Sequence, residues 1–231
     1  MFEISPTEWT AILLSLRVAI IATLVATPFG IALAWLLARR NFWGKSILDA
    51  AVHLPLVLPP VVTGYLLLLT LGRRGLVGAW LADHLGIVFA FRWTGAALAC
   101  GIMSFPLLVR PIRLSIEAVD RRLEQAAGTL GAAPWRVFTT VTLPLALPGV
   151  LAGMVLGFAK AIGEFGATIT FVSNIPGETQ TISSAIYSLI QTPDGDTAAL
   201  RLVLISIVIA MSALIASEWF ARRATQRLHG N

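Results

Sequence analysis

Long apolar runs alternate with short polar segments along this chain, and several approach the roughly 20 residues that cross a bilayer core of about 30 Å. Five spans are expected, at residues 11–38, 48–71, 94–111, 145–170 and 200–220. Pro55, Pro59 and Pro60 predict a kinked or broken second helix, and Pro106 does the same for the third. Neighbouring helices satisfy the carbonyls that such prolines free at membrane depth. The run from Ala11 to Ala38 is too long for a cleaved leader, and Glu3 and Glu8 precede it where a leader carries cations. It reads as a retained helix.

Composition points the same way. The chain is 57% hydrophobic and 13% charged, whereas soluble domains are roughly half apolar and a quarter charged. Mean hydropathy is +0.82. The expected fold class is all-α, a polytopic membrane protein forming a single transmembrane domain over residues 1–231. Cys100 is the sole cysteine and sits in an apolar run, so it reads as a small buried hydrophobe and not as half of an intrachain disulfide.

The pI near 10.3 changes the picture only through where the cations lie. Arg39, Arg40, Lys45, Arg110, Arg113, Arg121, Arg122, Arg136, Arg222, Arg223 and Arg227 fall in one set of loops, against Arg73, Arg74 and Arg92 in the other. Placed beside spans, they report topology and not a nucleic-acid patch. The richer set belongs in the cytoplasm, with the N-terminus outside and the C-terminal tail inside. Segment 112–143 is then cytoplasmic.

That segment has its own pattern. Val119, Leu123, Ala126 and Leu130 recur at helical spacing and are expected on one face. Gly131 can take the positive φ that ends a helix. Pro134 suits the first turn of a second short helix through Trp135, Val137 and Phe138, and Pro144 restarts the chain into the fourth span. Two short helices joined at a glycine make a rigid knob. On these residues alone the knob either transmits force or caps the bundle.

The outer face carries an amphipathic stretch around Trp80 to Phe89, suited to the membrane interface. It also carries a turn-rich segment, 171–198, with a short helix expected from Ile182 to Ile190. Either segment is an ordinary loop or a docking surface.

Charges within spans are costly. Lys160 and Glu164 stand four apart and can form a structural pair, with lining of a path the competing role. Gly149, Gly153 and Gly157 form a small-residue stripe suited to close helix packing. Beyond Glu164, residues Thr168, Thr170, Ser173 and Asn174 offer neutral donors to an oxyanion in transit, which a fixed cation would trap. They form the candidate translocation path together with Glu164.

Gly44-Lys45-Ser46 resembles the end of a phosphate-binding loop, but Arg39 stands where the first glycine belongs. The chain therefore reads as a non-enzyme without catalytic residues, whose energy comes from another chain. His53, His84 and His229 are scattered, and no metal site is expected.

The spacing Gln125-Ala126-Ala127, Gly131, Val141, Leu143-Pro144 resembles the EAA loop of ABC-importer permeases, with Gln125 in place of the glutamate (Glu124 comes one residue early) and Val141 in place of isoleucine. The resemblance implies the type I, MetI-like permease fold. It also implies a coupling segment that docks on an ATP-binding subunit, carried here by Gln125, Ala126, Ala127, Gly131, Pro134, Trp135, Leu143 and Pro144. The run Gly163-Glu164-Phe165-Gly166-Ala167-Thr168 is similar to permeases for sulfate, molybdate and tungstate. His53–Val62, Gly72–Gly75 and Ser173–Thr179 look like the molybdate branch. That likeness implies a homodimer in the inner membrane, two ATP-binding subunits holding ATP and Mg, and a periplasmic molybdate-binding protein on the outer face. This chain itself would hold no cofactor. Rival readings are a sulfate or tungstate permease, a secondary transporter driven by an ion gradient, and a structural subunit without a path. The secondary transporter would carry internal repeats, and none is apparent.

Overall fold

The computed structural model describes residues 4–229, with side chains through residue 216. Glu3 and the side chains of Arg222, Arg223, Arg227 and His229 lie outside the described residues, as do the side chains of the last residues of the expected fifth span.

The described chain is helical: α1 Pro6–Arg39, α2 Lys45–Val57, α3 Pro60–Leu71, α4 Leu76–Leu85, α5 Trp93–Ala118, α6 Arg121–Thr129, α7 Pro134–Val137, α8 Leu143–Ile162, α9 Gly166–Val172, α10 Ile182–Leu189 and α11 Asp196–His229. Four stretches among the described residues are long and apolar enough to cross a membrane: Pro6–Arg39, Trp93–Ala118, Pro134–Ile162 and Asp196–Ala216. The pair α2–α3 makes a fifth if it is one crossing, but it bends by 112°. The break falls at Pro59-Pro60, where Leu58 and Pro59 are extended. A proline disfavours helical backbone in the residue before it, and two in succession stop α2 outright.

Helix α1 opens with a capping box: Ser5 Oγ accepts from the Glu8 amide at 3.2 Å and the Glu8 carboxylate accepts from the Ser5 amide at 2.6 Å. Glu8 also accepts from Arg201 of α11 at 2.9 Å, and Ser15 accepts from the Ile182 amide at 2.7 Å. These contacts hold the α1 end to α10 and α11.

At the centre, α5 packs between α1 and α8, and the glycine stripe lets the helices close up. A methyl on Gly149 would sit 2.7 Å from the Pro111 carbonyl oxygen, and one on Gly153 would sit 2.5 Å from that of Leu108. Around this contact lie buried Leu108, Val109, Ile112, Ile116, Ala146 and Val150.

Three expectations need correction. The third helix does not stop at residue 111, because α5 runs on to Ala118 through Pro106 and Pro111. Pro144 does not restart the chain. From Pro134 the helix passes without a break into α8 through a wide π turn at Phe138–Thr142. A turn of this width relieves the clash of the Pro144 ring with the preceding turn. Finally, 145–170 is not one helix: α8 ends at Ile162, and α9 begins afresh at Gly166. The new helix packs on α3, where a methyl on Gly64 would meet the Ala167 carbonyl oxygen at 2.5 Å. The outer helix expected over 182–190 runs Ile182–Leu189.

Candidate coupling surface and translocation site

Helix α6 is capped by Asp120, whose side chain accepts from the Arg122 amide at 2.9 Å. It ends before Gly131, which takes φ +85°. Pro134 then opens α7. The four residues expected on one helical face do not share a helix. Val119 is the buried cap of α5 and Leu130 follows the end of α6.

What faces outward is informative. Gln125, Ala126, Gly131 and Pro134 are exposed, while Ala127, Leu143 and Pro144 are half-buried. Leu123, Leu130 and Trp135 are large apolar side chains left uncovered, with Leu130 89% exposed. Uncovered apolar side chains of this size on and beside α6 and α7 suit an interaction surface.

The knob is fixed from behind by Glu124. Its carboxylate accepts from Arg39 Nε of α1 at 3.1 Å and from Thr142 Oγ1 of the π turn at 2.6 Å. Arg39 also donates to the Val119 carbonyl at 3.0 Å. One carboxylate thus joins α6 to the end of α1 and to the root of α8. Trp35 and Phe138 add an edge-on aromatic contact at 6.0 Å. Arg39 and Thr142 are absent from the sequence-based site. No local signal could have found them, since Arg39 lies 85 residues from Glu124.

The second group surrounds the α8–α9 break. Lys160 Nζ donates to Glu164 at 2.7 Å, and the other Glu164 oxygen accepts from the Ala167 amide at 3.0 Å. Glu164 is 1% exposed, so the pair holds the break closed from inside. The threonine hydroxyls are already engaged: Thr168 donates to the Phe165 carbonyl at 2.9 Å and Thr170 to that of Gly166 at 2.8 Å. In this conformation they are not free donors. Ser173 ends α9 at φ +66°, ψ −164°, a region that strains any residue but glycine. Asn174 donates to Ser188 Oγ at 2.7 Å, while its Oδ1 is buried with no partner among the described residues. Thr63 Oγ1, beside the Gly64 contact with α9, is buried and unpartnered too, and sequence reasoning missed it. Gly149, Gly153 and Gly157 face α5 and stand apart from this group.

A family model for the binding-protein-dependent transport system inner membrane component matches residues 26–226. The molybdenum transport system permease protein ModB of Escherichia coli K12 is 63% identical over 220 residues, covering 95% of this chain and 96% of that protein. ModB of Haemophilus influenzae is 57% identical over 96% of both chains. A probable sulfate transport system permease protein, cysT of Chlorokybus atmophyticus, is 38% identical over 82% of this chain and 66% of its own. Among solved structures, a bacterial ABC transporter importing the acidic polysaccharide alginate superposes with a TM-score of 0.74 at 21% identity, over 95% of this chain and 80% of that one. The MetNI methionine ABC transporter, inward facing, gives 0.67 at 14% identity, over 96% and 99%. The fold is that of ABC importer permeases. Matched by the family model over residues 26–226 and by two ModB proteins over nearly all of their length, this chain belongs to the binding-protein-dependent transport system inner membrane components.

Proposed function

We propose that the chain is the permease subunit of an ATP-driven molybdate importer and works by alternating access. The observation that carries coupling is the exposed apolar knob braced through Glu124 to α1 and α8. The resemblance to ModB proteins over nearly the whole length supports molybdate as the substrate.

In this reading two copies form the pathway, and each presents Gln125, Ala126, Ala127, Gly131, Pro134 and Trp135 to one ATP-binding subunit, where ATP and Mg bind. Leu143 and Pro144 carry the motion into α8. ATP closing the two subunits draws the knobs together and opens the spans outward, and hydrolysis reverses the change. A periplasmic molybdate-binding protein delivers the anion to the outer face. The N-terminus is periplasmic and the C-terminus cytoplasmic, in the inner membrane. Glu164, Thr168, Thr170, Ser173 and Asn174 line the path once α9 moves.

A sulfate permease is the second reading, supported by the 38% identity to a probable sulfate permease. Reconstitution with the ATP-binding subunit and the binding protein separates them. ATP-dependent accumulation of molybdate over sulfate is the expected result. Preferential sulfate uptake, or uptake without the ATP-binding subunit, overturns the proposal.

A further inference from the structure

A cavity of about 400 Å³ lies within the coupling segment, and Gln125 and Pro134 of the docking surface form part of its wall. Its walls include Trp35, Arg39, Arg40, Arg121, Val137 and Phe138. Glu124 lines it too, but its carboxylate is spent on Arg39 and Thr142. Arg40 and Arg121 are exposed, and no carboxylate among the described residues pairs with either. Arg40 sits over the Trp35 ring, 5.7 Å from its centroid. The cavity therefore carries uncompensated positive charge next to an apolar wall.

Its level in the membrane follows from α1. Arg17, in the outer third of the same helix, lies over the Trp93 ring at 3.7 Å. Arg17 and Arg39 are separated by twenty-two residues of continuous helix, about 33 Å at about 1.5 Å per residue. That matches the roughly 30 Å hydrocarbon core. The two arginine–tryptophan groups thus mark opposite headgroup levels, where Trp and snorkelling cations gather. The cavity lies at one of them.

We propose that the cavity binds the headgroup of an anionic phospholipid. Arg40 and Arg121 hold the phosphodiester, while Trp35, Val137 and Phe138 cover the glycerol and first acyl carbons. Inorganic phosphate would satisfy the cations but leave the apolar wall bare. The site goes beyond the transport reading and rests on it only for naming the leaflet, the cytoplasmic one. Because α6, α7 and the π turn share its walls, an occupied cavity stiffens the coupling segment against α1.

Native mass spectrometry of the permease assembled with its ATP-binding subunits tests this, titrating phosphatidylglycerol, phosphatidylcholine and inorganic phosphate separately. The expected result is preferential retention of phosphatidylglycerol. An Arg40→Gln/Arg121→Gln variant should bind it about twenty-five-fold more weakly, with each surface cation contributing about a fivefold factor. Arg40→Lys/Arg121→Lys should retain most of the affinity. Unchanged phosphatidylglycerol affinity in the glutamine variant overturns the proposal. So does displacement of the lipid by an equal concentration of inorganic phosphate, which would make the ligand a soluble anion. Failure of the glutamine variant to assemble in pure phosphatidylcholine bilayers also overturns it, because the arginines would then pair with carboxylates of the ATP-binding subunit.

Discussion

Arg39 and Glu124 meet at 3.1 Å across 85 residues of sequence, one the last residue of α1 and the other inside α6. The Arg39 side chain is only 9% exposed, so the pair is shielded from solvent. The same carboxylate takes the Thr142 hydroxyl at the root of α8. A push on α6 therefore reaches two membrane helices through one side chain.

Replacing Glu124 with alanine leaves Arg39 largely buried without its partner and frees Thr142. The expected cost is about 1–3 kcal/mol. Uptake should fall more than ATPase activity, because the knob still docks but moves α8 less. Thermal unfolding together with the ratio of transported anion to hydrolysed ATP checks this, and an unchanged ratio argues against the brace.

Lys160 and Glu164 are unequal partners. Glu164 is buried and also caps α9 through the Ala167 amide, whereas Lys160 keeps 29% of its side chain exposed. Glu164→Ala should therefore cost more than Lys160→Ala, on the order of 3–5 kcal/mol against less than half of that. Exchanging the two residues should retain more folded protein than Glu164→Ala, though not all, since lysine cannot accept from the Ala167 amide. The fraction surviving a heat step in detergent measures the order, and equal losses in all variants would rule out the pair.

The glycine stripe gives a graded test. Alanine at Gly149 or Gly153 would press on α5 backbone, while at Gly157 the nearest atom is a Leu108 side-chain carbon at 3.5 Å. Gly149→Ala and Gly153→Ala should each destabilise by about 1–3 kcal/mol, and Gly157→Ala should be nearly neutral. Comparable loss at all three positions would mean that the helices do not meet as described.

Ser173 holds a backbone conformation suited to glycine. Ser173→Gly should raise stability by about 1–3 kcal/mol and slow uptake, because a path-lining hydroxyl is removed. Greater stability with unaltered uptake would remove Ser173 from the path.

Much of this was legible in the residues. Gly131 and Pro134 mark the boundaries of α6 and α7 because positive φ and a missing amide are local properties. Pro59-Pro60 announces the break in α2–α3 for the same reason. The α8–α9 break was not expected, since 145–170 read as one span, and α9 lies where Gly64 of α3 allows it to approach closely. The span edges at Ala118 and Pro134 were misplaced because helices at a membrane surface continue through polar residues when neighbours brace them. The Arg39–Glu124–Thr142 cluster was invisible, since no periodicity links residues so far apart.

The coupling role is tested most directly at Ala126, which is exposed on α6 and not packed against the chain's own core. Ala126→Arg is introduced into the reconstituted complex of permease, ATP-binding subunit and binding protein, and ATP-driven molybdate uptake is measured at matched insertion. The account predicts that uptake is lost, through failed assembly or hydrolysis without transport, while the variant permease folds as well as its parent. Ala127→Arg should lose uptake too, with some loss of stability because Ala127 is half-buried. Normal molybdate uptake by a correctly inserted Ala126→Arg complex would contradict the docking surface and the function built on it.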